Sequence, residues 1–268
     1  MKEFITLYQR PALIFPKEGS HEYSFILEAG SLSNTLIFPE YFTFPSAITS
    51  PEQILGNSQD TVQSLLRLSL EPELSDTMIV GGTILLEKNG LKFNATPVIC
   101  NGRILDYYLK RNLFLKEREF LSGGNQKLIL SHPATNNSWG FLVCADVQSP
   151  EYFMQYKGVQ YLAIPVASPY LPDDTSGAQQ SRDKSIFMEG ARLCGAVLFK
   201  CCLAAPPGLM ENIPLTDLHS RVQGRSLIAD SKSILVRAPH IQWRGTISFS
   251  PLDKNIILKE FSAASELP

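Results

Sequence analysis

Between Thr77 and Arg111 three strand-length runs, TMIVGGTILLE, LKFNATPVIC and RILDYYLKR, are separated only by Lys88-Asn89-Gly90 and by Asn101-Gly102. Asn-Gly pairs readily take the left-handed backbone that a tight hairpin turn demands, so these runs are predicted to pair as antiparallel neighbours. Elsewhere the pattern changes. FITLYQ and NTLIFPE are short apolar runs on either side of HEYSFILEAGSLS, whose apolar residues fall at helical spacing. SPEQILGNSQDTVQSLLRLSLEPEL opens on a Ser-Pro-Glu helix start and carries Val62, Leu65, Leu66 and Leu68 at helical spacing. QKLILSH and WGFLVCAD read as a further strand pair. After them come a helix from near Pro150, the strand YLAIPVAS and a long polar loop, PYLPDDTSGAQQSRD. The helix KSIFMEGARLCGA, the strand VLFKCCLAA and the hairpin-like runs RSLIADSKSILVRAP and WRGTISFSP finish the chain. Hairpins interleaved with strand–helix alternation require mixed sheets. Runs apolar on both faces, such as TLIFP and FLVCA, suit sheets covered on one side by helices and on the other by a second sheet. The chain has 268 residues with no repeat, low-complexity tract or linker, so residues 1–268 read as one α/β domain.

Charge and cysteine usage exclude several classes of function. There are 24 basic and 26 acidic residues, a net of −2, with no basic block, which argues against nucleic acid or an anionic membrane as partner. The start, MKEFITLYQRPALIFPKEG, lacks the basic region and apolar run of a secretory signal. No apolar window approaches the roughly eighteen residues of a membrane span. The expectation is a soluble, cytoplasmic protein. Cys100, Cys144, Cys194, Cys201 and Cys202 are odd in number and irregular in spacing, which fits neither a disulfide framework nor a structural zinc site. His21, His132, His219 and His240 are scattered singly, so no metal site is expected, and a base acting on a cysteine would not be histidine.

Three strand ends each deliver one reactive side chain: Glu40 after LIFP, Lys110 after RILDYYL, and Cys144 after GFLV. Acyl transfer needs these three groups: a base for the thiol proton, a thiolate to attack carbonyl carbon, and a cation for the oxyanion. A thiol of pKa about 8.5 is mostly protonated at neutral pH and needs such a neighbour. A turn into a helix after Cys144 would add the Ala145 N–H as a second oxyanion donor. Taken singly, each residue also has a plainer role: a buried thiol, a loop acid, a solvated lysine.

Taken in order, LIFPE, IVGGTILLEKNGLKFNATPVICNGRILDYYLKRNLF and GFLVCADVQSPEYF resemble the nitrilase (carbon–nitrogen hydrolase) superfamily. Gln9, Asn94, Leu113-Phe114, GVQYLAIPVASP, Arg192 and GRSLIADSKSILV extend the resemblance over most of the chain. It implies a four-layer αββα sandwich with two mixed β-sheets, and a Glu-Lys-Cys triad of Glu40 as base, Lys110 as oxyanion stabiliser and Cys144 as nucleophile. A second glutamate is implied seven residues before a glycine; Glu117, seven before Gly124, is preferred to Glu119. Asp146 and Glu151 match motif acids and are read as structural hydrogen-bonding groups near the turn. Phe42 and Phe44, Ala145, Gln148 and Ser168 are the expected substrate-facing residues, the last within ASPYLPDDTSGAQQSR. The implied activity is cofactor-free hydrolysis of a small non-peptide amide. Nitrilase, N-carbamoyl hydrolase and glutaminase-like variants are the alternatives within the class, and a silent metabolite-binding or scaffold relative lies outside it. A homodimer or larger homo-oligomer is implied, packing around Tyr152 to Lys157. The chain departs from the family pattern at Ala145, at Gln148 and Ser149 (usually arginine and phenylalanine), and in the helix that reads Arg-Leu-Cys-Gly-Ala from Arg192. These departures bear on substrate and leave the triad intact.

Overall fold

Alternation along the first strands sets the layers. In β1 (Phe4–Gln9) Ile5 and Leu7 pack between two sheets, whereas Tyr8 packs on the opposite, helix-covered side. The same period of two runs through β2 (Ser33–Phe38), with Ile37 inward and Leu36 and Phe38 outward, and through β3 (Met78–Gly81), with Met78 and Val80 inward and Ile79 outward. The outward residues meet α1 (His21–Leu32), through Tyr23, Phe25 and Ile26, and α2 (Pro51–Leu68), through Ile54, Leu65 and Leu68. Ser20 caps α1 by accepting from the Tyr23 N–H at 3.2 Å. The computed structural model in which these contacts are seen describes residues 4–10, 15–43, 51–114, 117–168, 176–204, 224–239 and 243–261.

The first sheet adds β4 (Ile84–Lys88), β5 (Leu91–Cys100), β6 (Arg103–Leu109), β13 (Gly245–Phe249) and β14 (Ile256–Glu260), in the order β14-β13-β1-β2-β3-β5-β4 with β6 also paired to β5. The second sheet holds β7 (Ile129–Ser131), β8 (Ser138–Phe141), β9 (Tyr161–Val166), β10 (Val197–Cys202), β11 (Leu227–Ala229) and β12 (Ile234–Arg237), in the order β12-β11-β10-β9-β8-β7. Its central strands β8, β9 and β10 run parallel and its outer pairs antiparallel. Side chains tie the sheets together: Cys201 Sγ donates to the Ile37 carbonyl at 3.1 Å, and Phe199 of β10 lies 6.0 Å from Phe249 of β13, ring to ring. Helices α4 (Pro150–Met154) and α6 (Glu189–Cys194) cover the outer side of the second sheet with Phe153, Ala191 and Cys194. The expected α/β fold, four layers αββα with two mixed sheets, is the fold found. Among the described residues no helix is long and apolar enough to cross a membrane.

Both hairpin turns form as read: Asn89 and Gly90 have φ of 55° and 74°, and Asn101 and Gly102 have 48° and 68°. Two expectations need correcting. TMIVGGTILLE is not one strand. Gly82, with φ +59°, breaks it, and a Cβ there would lie 2.2 Å from the Pro39 carbonyl oxygen. β3 and β4 therefore both pair with β5, one at Val98–Ile99 and the other along Leu91–Ala95. The polar stretch taken as a loop is also partly helical. α5 (Ser176–Asp183) passes through a π-helical turn, Lys184–Met188, directly into α6. Ala178, Gln179, Gln180 and Arg182 favour a helix, and the polarity of the segment reflects an exposed face rather than a missing helix. The edge strand β14 has no counterpart among the runs read as strands.

Candidate active site

Glu40 follows Pro39 at the end of β2, where the chain turns sharply: Tyr41 has a left-handed φ of 56°, and its N–H donates to Thr83 Oγ1 at 3.2 Å. Lys110 follows β6, held by its own N–H on the Asn94 carbonyl at 2.8 Å. Its side chain is only 1% exposed and bridges two carboxylates, Glu40 Oε1 at 2.8 Å and Glu117 Oε2 at 2.8 Å. Glu117 opens the short helix α3 (Glu117–Phe120), and the Phe114 N–H donates to its Oε2 at 2.7 Å. Asn94 Nδ2 on β5 reaches Glu40 Oε1 at 3.1 Å and Glu117 Oε1 at 2.8 Å, and the Tyr41 hydroxyl also donates to Glu117. The Ala167 N–H, just past β9, donates to Glu40 Oε2 at 2.9 Å. Each carboxylate is thus held by several donors, so neither is a free loop acid. Of the two candidate second glutamates, Glu117 lies in this cluster and Glu119 is exposed.

Cys144 begins a 3-10 turn, Cys144–Gln148, three residues past β8. Its φ is +43°, a conformation that non-glycine residues adopt at a cost of about 1–3 kcal/mol and that concentrates at functional sites. The Asp146 carboxylate holds the turn. Its Oδ2 accepts from the Val143 N–H at 2.9 Å and the Tyr108 hydroxyl at 2.7 Å, and its Oδ1 from the N–H groups of Arg111 at 3.1 Å and Asn112 at 2.6 Å. One buried acid therefore ties the Cys144 turn to the backbone that follows Lys110. Glu151, the other motif acid, is exposed on α4. The Cys144 thiol is partly exposed and points its Sγ towards the Ala167 carbonyl at 3.8 Å.

Burial and charge set the protonation of the cluster. Burial pushes the Glu40 carboxyl up; Lys110 pulls it back down, while Glu117 pushes it further up. Burial also works against the Lys110 ammonium, but the Glu40 and Glu117 carboxylates outweigh it and hold that group above its ordinary range. The Cys144 thiol is pushed up by burial and then by the Glu40 charge and hydrogen bond, against the pull of Lys110. Burial and the Glu40 carboxylate thus both favour the protonated thiol at Cys144, with Lys110 opposing them.

A cavity of about 370 Å³ opens over Cys144, near the lower end of the roughly 300–1,000 Å³ of small-molecule sites. Ala145, Gln148 and Ser168 line it. Phe42 does not. It is fully buried, stacked on Phe38 at 4.8 Å in the core between the first sheet and its helices. The turn at Glu40 and Tyr41 directs that ring into the core rather than over the thiol. Phe44 and residues 169–175 lie outside the described residues, as do His219 and His240. Arg192 is on an exposed face, paired with Glu189, and does not line the cavity. The wall also holds Arg182, Asp183 and Lys200, which the sequence pattern did not single out. Asp183 and Arg182 sat in a stretch read as loop, and Lys200 in an apolar strand. Tyr41, next to Glu40, was likewise missed. Cys100, Cys194, Cys201 and Cys202 are buried and outside any disulfide.

No protein-family model matches the chain, and no curated protein sequence is similar to it. Solved structures are similar in fold. An amidase from Nesterenkonia sp. AN1 matches with a TM-score of 0.70 at 19% identity, over 94% of this chain and 93% of that one. One structure of that enzyme, described as from the nitrilase superfamily, is a mutant lacking the cysteine; others carry acrylamide or the acetamide moiety of fluoroacetamide on the active-site cysteine. The glutamine-dependent NAD+ synthetase of Acinetobacter baumannii matches with a TM-score of 0.69 at 19% identity, over 98% of this chain but 48% of that one. The chain has the fold of nitrilase-superfamily amidases.

Proposed function

We propose that residues 1–268 form one carbon–nitrogen hydrolase domain that cleaves a small non-peptide amide, with Cys144 as nucleophile, Glu40 as base, Lys110 as oxyanion stabiliser and Glu117 as the group that positions Lys110. The observation that carries this reading is the buried Glu40–Lys110–Glu117 ion cluster meeting a left-handed Cys144 at the mouth of a cavity. Amidase chemistry on the same fold, with covalent adducts on a neighbour's active-site cysteine, supports it.

The steps follow from the protonation state. As Cys144 Sγ bonds to the carbonyl carbon, its proton passes to Glu40, and the carbonyl electrons move onto oxygen, where Lys110 and the Ala145 N–H receive them. Moving the proton inside the cluster leaves its net charge unchanged, which a buried site favours. When the carbon–nitrogen bond breaks, Glu40 returns the proton to the leaving nitrogen, so ammonia or an amine departs and a thioester stays on Cys144. Water then attacks that thioester as Glu40 takes its proton. The acid leaves, the thiol regains its proton, and no cofactor is called upon. The protein would act in the cytoplasm on a free small molecule, as a homodimer or larger homo-oligomer, independent of nucleic acid and membrane.

Ammonia release from a panel of small amides, ureido acids and nitriles, with Cys144→Ala beside the parent, tests this. Turnover of an amide abolished in the variant is expected. Near-normal turnover in Cys144→Ala would show the mechanism wrong, and preferential turnover of nitriles or ureido acids would move the reaction within the class.

A further inference from the structure

The far wall of the cavity carries charge that acyl transfer does not use. Lys200, on β10, is 6% exposed and donates to Asp183 Oδ1 at 3.2 Å. Asp183, at the end of α5 and 8% exposed, accepts on its other oxygen from Arg237 of β12 at 2.9 Å. The Lys200 ammonium also lies over the Phe187 ring at 5.0 Å. Burial works against that ammonium, but its ion pair with Asp183 holds the group above its ordinary range. Both oxygens of Asp183 are engaged, so among the described residues Lys200 shares this acid with Arg237, and Arg182 adds a further cation to the cavity lining. A buried excess charge is costly until a counter-charge joins it. A substrate ammonium is disfavoured there, because the one acid is already doubly paired beside two cations.

Position and lining agree with a bound anion. Cys144 follows β8 and Lys200 lies on β10, with β9 between, and two strand spacings are about 10 Å. Between them the cavity is lined by the apolar Val147, Val166, Ile186 and Phe187. Ile186 and Phe187 belong to the π-helical turn that follows Asp183; π turns within helices are frequent at functional sites. The wall therefore offers an apolar path from the nucleophile to a cation.

We propose that Lys200, braced by Asp183, anchors a carboxylate at the far end of the acyl chain, so that the substrate is the monoamide of a short dicarboxylic acid. This rests on the amidase reading above and adds the substrate class to it. Loss of a charge-assisted contact of this kind weakens binding about tenfold to a hundredfold.

The test is ammonia release by the full chain from succinamate against butyramide and from glutaramate against valeramide, pairs that differ only in a carboxylate for a methyl. At least a tenfold higher kcat/KM for one or both carboxylated amides is expected. In Lys200→Met that ratio falls at least tenfold, chiefly through KM. If Lys200→Met does not fold with Asp183 half-paired, Lys200→Met with Asp183→Asn removes both charges and is read the same way. Equal rates on both members of each pair, a preference for the neutral amides, or a ratio that survives loss of Lys200 overturns this proposal and leaves the amidase reading standing. Silence on all four, together with a Cys144 that resists alkylation, removes the amidase reading and this proposal with it.

Discussion

Asp146 offers the sharpest check on how the site is held, because it touches no reacting atom and yet joins the two segments that carry Cys144 and Lys110. In Asp146→Asn the shape stays nearly the same, but four donors that faced two oxygens now face one oxygen and one NH2 group. If the amide oxygen keeps the Arg111 and Asn112 N–H groups, its NH2 confronts the Tyr108 hydroxyl and the Val143 N–H. The hydroxyl can turn and accept; the N–H cannot. One buried backbone donor is then orphaned, at about 1–3 kcal/mol. The Arg111, Asn112 and Tyr108 bonds also lose their charge assistance, about 1 kcal/mol each. Burial, which already pushes the Asp146 carboxyl up, works in the other direction: the neutral amide escapes it, and this offsets part of the loss. The expected net destabilisation is about 2–4 kcal/mol in urea unfolding. The same substitution lets the Cys144 turn and the Lys110 segment drift apart, and misplacement by about 1 Å costs on the order of 100-fold in rate. Turnover should therefore fall by at least tenfold under conditions where the variant is fully folded, and alkylation of Cys144 by iodoacetamide should change with it. Asp146→Asn within about 1 kcal/mol of the parent and unaltered in turnover would refute the argument that this carboxylate positions the site.

Three other outcomes follow from the geometry. Glu40 must be ionised to accept the thiol proton, and its pKa is raised by burial, so activity is present above that raised value and lost as pH falls through it. The acid limb of kcat/KM should lie above the ordinary carboxylate range of about 4.3, and full activity persisting at that pH would contradict it. Glu117→Gln should lower kcat about 10- to 1,000-fold by loosening Lys110, whereas exposed Glu119→Gln should stay within about twofold; equal effects would remove Glu117 from the site. Phe42→Ala should lose about 3–5 kcal/mol of stability as a core truncation while leaving KM for a turned-over amide unchanged, and a raised KM in a stably folded variant would return the ring to the substrate wall.

Much of the architecture was legible because it rests on local periodicity. The Asn-Gly turns, the strands apolar on both faces and the helix start at Pro51 each declare themselves within a few residues. Gly82 defeated that reading because its demand is not local: the residue it must avoid, Pro39, is 43 positions away and lies at the end of another strand. α5 was misread because an exposed helix and a loop share a polar composition. In the candidate site, Glu40, Lys110 and Cys144 each follow a strand and bear a reactive group, but singly each has a plainer reading, and it was the resemblance to the nitrilase superfamily that joined them. Phe42 was misassigned on nearness in sequence to Glu40, although the sharp turn at Tyr41 sends the ring into the core.

The residues that went unseen share one property. Tyr41, Asp183 and Lys200 acquire meaning only through partners far along the chain: Glu117 for the first, Arg237 and each other for the rest. No spacing rule connects a lysine inside an apolar strand to an aspartate at the end of a polar helix. Yet the lysine itself was a local anomaly, a charge in the middle of VLFKCCLAA. Burying a charge in such a strand is unfavourable without a counter-charge, so its presence there already implied a partner or a ligand. In the proposed reaction Glu40, Lys110 and Cys144 determine which bond is broken, and they do so from strand ends, where a motif is visible. On the proposal made above, what that bond is attached to is set by the wall at Lys200, where charge pairing across the fold decides, and there a sequence shows the question without the answer.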